Sequence, residues 1–378
     1  MKIGIVCYPT YGGSGVLATE LGKALAGRGH QVHFISYQQP ARLEHFHERI
    51  FYHEVAFADY PLFDFPPYET ALASKLVDVV KYHQLDVLHV HYAIPHASVA
   101  YLAKQILASE GVHIPTVTTL HGTDITLVGT NAAYAPVVTF AINQSDAVTA
   151  VSESLRADTL NFFRISRPIT VIPNFVDFER FKKTNKDHFK KAVAPFGEKI
   201  IIHVSNFRKV KRIEDVIGMF DLVRQQIPAR LLLVGDGPER QKIEMLTRDL
   251  GVCTLVRFLG KQDAIEELLA IADIFVLPSE KESFGLSALE AMACEVPVIS
   301  SNAGGLPEVN INGLTGFTAD IGDVQTMANR ALELLQNPEL HAQFRKNALA
   351  QAQNFTLPEI VKLYEQVYEQ VVVPAKTL

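Results

Sequence analysis

The stretch that decides the fold runs from Ile274 to Glu290 and reads IFVLPSEKESFGLSALE. Its first four residues are apolar, which predicts a buried strand, and the residues from Ser287 onward predict a helix. A helix that begins just after a strand presents unpaired backbone amides and the positive end of its dipole. Phe284, Gly285 and Leu286 occupy this start, so the stretch predicts a site for an anionic group such as a phosphate.

Two acidic side chains flank the predicted helix start. Glu290, within the helix, can accept hydrogen bonds from neutral hydroxyls such as those of a ribose, and Glu282, before the helix, can do the same for a sugar. Together with the anion site they predict binding of a sugar that carries a phosphate. The alternative is a strand–loop–helix unit with two solvated glutamates, which is the commoner situation for acidic residues taken singly.

The same alternation of strand and helix extends in both directions along the chain. In the second half, strands are predicted at 199–204, 230–234, 256–258, 274–277 and 296–300, with helices at 212–226, 238–250, 263–272 and 287–293. In the first half, strands are predicted at 3–7, 31–36, 87–91, 116–120, 147–151 and 170–172, with helices at 16–27, 70–83, 97–109 and 136–144. Helix-length connections require parallel strands, so the fold class is α/β.

The length of 378 residues is too great for one ordinary core. We predict two doubly wound, Rossmann-like domains that face a central cleft at the carboxyl ends of their strands, residues 1–172 and 173–355, with a linker near 173–198. Residues 356–378 begin with Thr356-Leu357-Pro358-Glu359, which matches a capping box. Apolar residues then recur at helical spacing, so we expect a helix that packs back on the first domain.

Composition narrows the class of partner. The net charge of −6 argues against nucleic acid or an anionic membrane surface. No apolar run reaches the roughly 18 residues that span a bilayer, and no signal peptide precedes the first strand. Cys7, Cys253 and Cys294 lie far apart without metal-ligand spacing, as in a reduced protein. We therefore expect a cytoplasmic protein without a membrane anchor. The oligomeric state stays open, a homo-oligomer included.

A glycine-rich loop, Tyr11 to Gly15, joins the first strand to the first helix. Gly13, Gly15 and Ala18 fit the dinucleotide-binding pattern. That pattern also needs an acidic residue at the end of the second strand, and residues 35–39 supply none, which weakens the dehydrogenase interpretation. A loop that accepts a carboxylate, a phosphate or a sugar fits equally well, and so does a purely structural turn.

Several histidines follow or occupy strands of the first half. His121, just past a strand, can donate a hydrogen bond to a substrate oxygen, although a lone histidine in such a loop is more often structural. Tyr92 reaches the same edge of the sheet. No acidic or thiol side chain joins His89, His91 and His96 at zinc spacing, so the sequence predicts no metal site there.

A cluster of four cations within five positions follows the first strand of the second half: Arg208, Lys209, Lys211 and Arg212. Charge-assisted contacts from these side chains suit a diphosphate, the alternative being a solvated basic face. Gly235 lies in the turn after the next strand, where it is either structural or close to a ligand. Lys261 and Gln262, after the third strand, can offer groups to the edge of a base.

Taken in order, these motifs resemble the retaining glycosyltransferases of family 4, which have the GT-B fold. The resemblance covers almost the whole chain and includes His121-Gly122, the turn at Gly235, the Glu282 and Glu290 pair, and the segment 302–305. It implies that Glu290 binds the ribose of a nucleotide and that Lys211 meets the diphosphate. The family's arginine, five residues before that lysine, is replaced here by Asn206, and Arg208 is an alternative source of the guanidinium.

The resemblance also implies roles in the reaction and no cofactor or metal. The catalytic residues that the resemblance implies are His121, Lys211, Glu282 and Arg208. The implied donor site comprises Gly15, Asn206, Arg208, Lys211, Gly235, Lys261, Gln262, Glu282, Phe284, Gly285, Leu286, Ser287 and Glu290. Asp124 is the nearest candidate for a carboxylate nucleophile, and because it does not clearly qualify we follow the family in expecting a front-face displacement.

Within the family, the opening residues 2–15 and the segments 91–96 and 119–124 resemble members that move N-acetylglucosamine from UDP-GlcNAc to the hydroxyl of L-malate, in bacillithiol biosynthesis. This resemblance implies a hydroxy-dicarboxylate acceptor held by Gly13, Ser14, Tyr92, Thr119, His121 and Thr123. Another small acceptor, a nucleotide-sugar epimerase and a sugar- or nucleotide-binding module without turnover are the alternatives.

Overall fold

A computed structural model describes residues 1–10, 13–43, 46–56 and 67–372. Two compact units divide the chain. Unit 1 is Met1–Asn174 with Leu357–Leu378, and unit 2 is Phe175–Thr356. The division lies within two residues of the boundaries that the sequence predicts. Tyr11 and Gly12 of the glycine-rich loop and residues 373–378 of the predicted last helix lie outside the described residues.

Unit 1 is a parallel sheet with helical crossovers. Its elements are β1 (Lys2–Val6), α1 (Gly13–Gly27), β2 (Gln31–Ser36), β3 (Ile50–Glu54), α2 (Tyr68–His83), β4 (Val87–His91), α3 (Ser98–Ser109), β5 (Thr116–Leu120), α4 (Ala135–Gln144), β6 (Ala147–Ala150), α5 (Glu153–Phe162) and β7 (Ile169–Val171). The strand order is β3-β2-β1-β4-β5-β6-β7. Strands β1 and β4 are therefore neighbours at the point where the order reverses, and a ligand site is expected at their carboxyl ends.

Unit 2 repeats this arrangement. Its elements are α6 (Asp187–Val193), β8 (Lys199–Val204), α7 (Ile213–Arg224), β9 (Ala229–Val234), α8 (Arg240–Asp249), β10 (Val256–Gly260), α9 (Ile265–Ile271), β11 (Ile274–Leu277), α10 (Leu286–Ala293), β12 (Val298–Ser301), α11 (Leu306–Val309), β13 (Gly316–Ala319), α12 (Val324–Gln336) and α13 (Pro338–Ala352). The order is β10-β9-β8-β11-β12-β13, all parallel, so the reversal lies between β8 and β11.

The last helix, α14 (Leu357–Val372), packs on α1, β4 and β5 of unit 1, which confirms the predicted return to the first domain. Its apolar face is buried, and the buried Tyr368 hydroxyl bonds to His89 Nδ1 at 2.8 Å. On its outer side, Glu365 pairs with Arg28 at 2.8 Å. No helix among the described residues is both long enough and apolar enough to cross a membrane.

Several features differ from the sequence-based expectation, among them helices α12 and α13, which the sequence did not predict. Strand β3 was not predicted because its side chains are only partly buried at the sheet edge, and β13 was not predicted either. The segment predicted as a linker, 173–198, is instead mostly part of unit 2 and contains α6. Its cations are paired with unit 2, as in Lys190 with Asp273 at 2.7 Å and Arg180 with Glu266 at 2.9 Å.

Candidate active site

An ion pair marks the reversal of strand order in unit 2. Lys211 ends the short helical turn that follows β8, and Glu282 follows β11. The Lys211 Nζ lies 2.6 Å from Glu282 Oε2, and the two side chains are only 18% and 14% exposed. The sequence therefore predicted two residues of one site, 71 positions apart, that the fold brings into direct contact. Partial burial makes this pair less screened than a surface pair.

The loop that carries Glu282 is fixed by two glycines after β12. The backbone amide of Gly305 donates to the Glu282 carbonyl at 3.0 Å. A Cβ on Gly304 would lie 1.9 Å from that same carbonyl oxygen, so only glycine fits. The Ser279 hydroxyl donates to Glu282 Oε2 at 3.3 Å. The segment 302–305 thus sets the position of the acidic loop.

A glycine shapes the start of α10. Gly285 has φ of 98°, and a Cβ there would lie 2.6 Å from the Leu306 side chain. Phe284 is buried, with its ring 5.6 Å from that of Phe355, so only its backbone can meet a ligand. Leu286 and Ser287 form the first turn, where amides lack an intrahelical acceptor. Glu290, one turn further on, is half-buried.

Among the remaining predicted donor residues, one glycine is tightly packed and the polar side chains are exposed. Gly235 has φ of 122°, and a Cβ there would lie 1.8 Å from the Ser205 carbonyl oxygen, so packing alone explains this glycine. Asn206, Arg208 and Lys261 are exposed at the carboxyl ends of β8 and β10. Gln262 is also exposed, but its amide folds back onto the Leu259 carbonyl at 2.6 Å.

His203, which the sequence did not single out, lies beneath the ion pair. It is buried in β8, with Nδ1 2.8 Å from the Val276 carbonyl of β11 and Nε2 2.7 Å from Ser205 Oγ. Burial, with a smaller effect of the Lys211 charge, lowers the pKa of His203 to about 4. A neutral imidazole therefore joins β8 to β11 at the position where their loops form the site. Only its place near the end of a predicted strand could have suggested this role.

In unit 1, hydroxyl groups meet at the reversal of strand order. Ser14, in the first turn of α1, has Oγ 2.5 Å from the Tyr92 hydroxyl, which follows β4. Tyr92 has φ of 83°, and its amide donates to the Thr119 carbonyl at 2.9 Å. A Cβ on Gly15 would lie 2.4 Å from the Thr10 carbonyl oxygen, which explains that glycine by packing. Gly13 is exposed at the helix start.

His121 joins this group from the neighbouring strand. Its ring centroid lies 5.0 Å from that of Tyr92, and its Nε2 lies 2.8 Å from His91 Nδ1. Burial lowers the pKa of His121 to about 3, and that of His91 is also well below its usual value. His121 is therefore neutral at pH 7. The sequence missed His91 as the partner that orients it, although the two follow neighbouring strands.

Two of the predicted acceptor residues differ sharply in exposure. Thr119 is fully buried, and its hydroxyl bonds to His89 Nε2 and to Thr149 Oγ1, each at 2.7 Å. Because this hydroxyl is held in the interior, the assignment of Thr119 to the acceptor site is corrected to a structural one. Thr123, by contrast, is exposed at the start of the turn after His121.

Asp124 is held by the backbone. Its carboxylate accepts from the amides of Ala93 at 2.8 Å, Gly122 at 3.0 Å and His121 at 3.3 Å. Burial raises its pKa to about 6 even though these bonds oppose the shift. A carboxylate so enclosed joins the loops after β4 and β5 and has no oxygen available for attack on a sugar. Asp124 is thus a positioning residue and not a nucleophile.

Two family models together match most of the chain. A sequence model described as Glycosyltransferase Family 4 matches residues 11–180, and one described as Glycosyl transferases group 1 matches residues 184–351. N-acetyl-alpha-D-glucosaminyl L-malate synthase of Bacillus anthracis is 48% identical over 373 residues, which cover 98% of this chain and 97% of that protein. An uncharacterized glycosyltransferase of Methanocaldococcus jannaschii is 28% identical over 78% of both chains.

Solved structures match over the full length. Anabaena HepE in complex with UDP-glucose superposes with a TM-score of 0.83 at 23% identity, covering 98% of this chain and 100% of that one. Sucrose-phosphate synthase from Thermosynechococcus elongatus gives a TM-score of 0.79 at 23% identity, covering 98% of each. At this level of sequence identity, structural similarity is evidence about the fold alone, and it confirms the predicted GT-B fold.

Proposed function

We propose that this chain, which belongs to glycosyltransferase family 4, moves N-acetylglucosamine from UDP-GlcNAc to the hydroxyl of L-malate. The transfer retains the configuration at the anomeric carbon. The observation that carries the proposal is the 48% identity, over 98% of the chain, to the Bacillus anthracis N-acetyl-alpha-D-glucosaminyl L-malate synthase. The reaction would be the first step of bacillithiol biosynthesis. The three free cysteines accord with a reducing cytoplasm.

Unit 2 is the proposed donor site. Lys211 and the first-turn amides of α10 hold the diphosphate, because a cation and a helix start both favour negative charge. Glu290 accepts hydrogen bonds from the ribose, and Glu282 accepts one from the donor sugar. The 2.6 Å contact between Lys211 and Glu282 supports this assignment. The diphosphate and the donor sugar are directly bonded, so the residues proposed to hold them are expected to be neighbours. Arg208, exposed beside Asn206, supplies further positive charge.

Unit 1 is the proposed acceptor site. The start of α1, a helix of 15 residues, offers Gly13 and Ser14 to an acceptor carboxylate. Tyr92 supplies a hydroxyl from the neighbouring loop, and Thr123 is exposed at the start of the turn after His121. His121 remains neutral and can exchange a hydrogen bond with the reacting sugar without adding charge.

The chemical step is a front-face displacement. The bond between the anomeric carbon and the β-phosphate oxygen breaks, and the acceptor hydroxyl oxygen bonds to the same face of the sugar. The hydroxyl proton passes to the leaving phosphate oxygen, so UDP departs with the electron pair of the broken bond. Lys211 stabilises the charge that develops on this oxygen. The enclosed position of Asp124 agrees with a step that uses no carboxylate nucleophile. No metal is needed for this step.

The proposal is tested by measuring UDP release from UDP-GlcNAc with a panel of small acceptors. We expect release with L-malate, little with D-malate or inositol phosphates, and a product whose anomeric proton shows the α configuration. Release with another acceptor alone would assign a different substrate to the same family. Isomerised sugar from UDP-GlcNAc without an acceptor would indicate an epimerase, and UDP affinity without turnover would indicate a binding module.

A further inference from the structure

Three histidines converge at the sheet edge of unit 1, away from the loops proposed to bind substrates. His33 lies in β2, His53 in the edge strand β3, and His83 at the end of α2. In the register of the two strands His53 is opposite Ile35, two positions after His33, so both histidines face the same side of the sheet. Each histidine contributes one ring nitrogen to a group of three that all lie within 4.8 Å of one another.

The geometry of this cluster is already close to that of a metal centre. His33 Nδ1 lies 2.9 Å from His53 Nε2, and the His83 ring centroid lies 4.6 Å from that of His33 and 4.8 Å from that of His53. Ligand nitrogens about 2.1 Å from a tetrahedral ion are separated by about 3.4 Å. To reach that spacing, the His33 and His53 nitrogens would separate by about 0.5 Å, and the third nitrogen, at the half-buried end of α2, would move inward by up to about 1.4 Å.

One buried nitrogen of the cluster lacks a hydrogen-bond partner. His33 is 1% exposed, and its Nε2, the ring nitrogen that does not contact His53, has no partner within the parts of the chain that the structure describes. Buried polar atoms are normally satisfied, and those that are not call for an explanation. Protonation does not provide one, because burial, with the neighbouring histidines, lowers the pKa of His33 to about 3. The pKa of His53 is lowered to about 4 for the same main reason.

We propose that His33, His53 and His83 bind one divalent transition-metal ion, of the class Zn²⁺, Co²⁺ or Ni²⁺, which fastens the edge strand β3 to β2 and α2. Neutral imidazole is a favoured ligand of these ions. Three protein ligands leave one tetrahedral position for water. His53 and His83 are half-buried, so the ion has a path from solvent. The site is independent of the proposed function.

Nearby charges set the affinity. The Lys2 ammonium donates to the His83 carbonyl at 2.9 Å, and its charge repels a positive charge on His33. The charge of Lys75 does the same at His53. Both oppose a cation, whereas the Asp78 carboxylate, which also acts on His53, favours one. Without a carboxylate as a defined ligand, the ion is held mainly by the three imidazoles.

The test uses the full-length protein without a histidine tag, freed of metal by a chelator and titrated with Zn²⁺ and with Co²⁺. We expect one ion per chain, visible absorption typical of tetrahedral Co²⁺, and a first thermal transition raised by about 5 °C at a hundredfold excess of zinc over its Kd. His53→Gln and His83→Gln should each weaken binding at least tenfold. His113→Gln, which removes an exposed histidine of the same unit, should bind as the wild type does.

Two results would overturn the site. Wild-type protein that binds no ion with one-to-one stoichiometry would show a histidine cluster joined by hydrogen bonds alone. Equal binding by the wild type and by both cluster variants would place the ion elsewhere. Far-UV circular dichroism of the metal-free variants shows whether they are folded, and if neither is, the Co²⁺ spectrum of the wild type decides.

Discussion

The two sheets share one strand order around their reversal points but carry opposite chemistry there. In unit 2 a lysine and a glutamate, Lys211 and Glu282, form an ion pair at 2.6 Å. In unit 1 the corresponding loops bring together the hydroxyls of Ser14 and Tyr92, beside the neutral imidazole of His121. Topology thus fixes where a site forms, while the residues after the strands decide what it binds. The charged edge suits a diphosphate and the neutral edge a small acceptor.

The largest expected effect tests the charged edge. Lys211→Ala should lower turnover by about 10²–10³-fold, the scale of losing one electrostatic contact to developing charge. Lys209→Ala is the matched control, because Lys209 lies in the same turn but is exposed, and it should stay within about twofold of wild type. The measurement is steady-state release of UDP.

Loss of Lys211 also leaves Glu282 without its cation, and this effect needs its own control. Lys211→Ala combined with Glu282→Gln removes both charges, and we expect turnover to remain low. Recovery of the double variant to near wild-type turnover would mean that the lysine serves only to neutralise the glutamate. The comparison between the two edges would then lose its chemical basis.

A second change concerns nucleotide affinity at the charged edge. Glu290→Ala should weaken UDP binding by about tenfold, because a hydrogen bond to a charged group contributes about 1.5 kcal/mol or more. Isothermal titration calorimetry with UDP measures the change. Tyr92→Phe, in unit 1, is the control and should leave UDP affinity unchanged. Equal losses in both variants would show that the two edges do not divide the substrates as proposed.

A third change concerns the neutral edge. Tyr92→Phe should raise the KM for the acceptor by about fivefold, the scale of one neutral hydrogen bond, with a smaller change in the KM for UDP-GlcNAc. The steric fit stays the same because only one oxygen is removed. A change confined to the donor KM would assign Tyr92 to the donor site instead.

Acid should affect the two units unequally. Among the described residues, burial lowers the pKa of six histidines in unit 1, namely His33, His53, His89, His91, His96 and His121, but of only His203 and His341 in unit 2. Each folded pKa lies below the unfolded value of about 6.5, so below that pH the unfolded chain binds more protons. Stability is full above about pH 6.5 and declines as pH falls toward the folded pKa values.

Unit 1 should therefore lose protection from hydrogen exchange before unit 2 as the pH is lowered from 7 to 4. Mass spectrometry of peptides from the two sheets measures this order. Unit 2 losing protection first would contradict the view that buried neutral histidines dominate the acid response. A control at pH 8, where all these groups are neutral, sets the baseline for each unit.

Much of the fold could be predicted because apolar periodicity is local. Most strand boundaries were predicted to within two residues, since central parallel strands are continuous apolar runs. Strand β3 was missed because an edge strand is only partly buried, and its sequence IFYHE ends in three consecutive residues with polar groups instead of continuing as an apolar run. The linker prediction was wrong because its cations read as a solvated stretch, whereas Lys190 and Arg180 pair with acidic residues more than 80 positions away.

The candidate site shows the same division between local and distant information. The glycine loop, the start of α10 and the two glutamates could be identified from their positions after predicted strands. The contact of Lys211 with Glu282 and that of His91 with His121 could not, because each depends on which strands are neighbours. Thr119 was assigned to the acceptor through the resemblance of the segment 119–124, but strand alternation directs its hydroxyl to the interior.

The most direct test is a crystal structure of the complex with UDP. The diphosphate is predicted within about 3 Å of Lys211 Nζ and of the first-turn amides of α10, with the ribose hydroxyls on Glu290. The density would also show whether Arg208 or Asn206 contacts the phosphates. A diphosphate bound instead at Ser14 and Tyr92 of unit 1 would contradict the assignment of the charged edge to the donor.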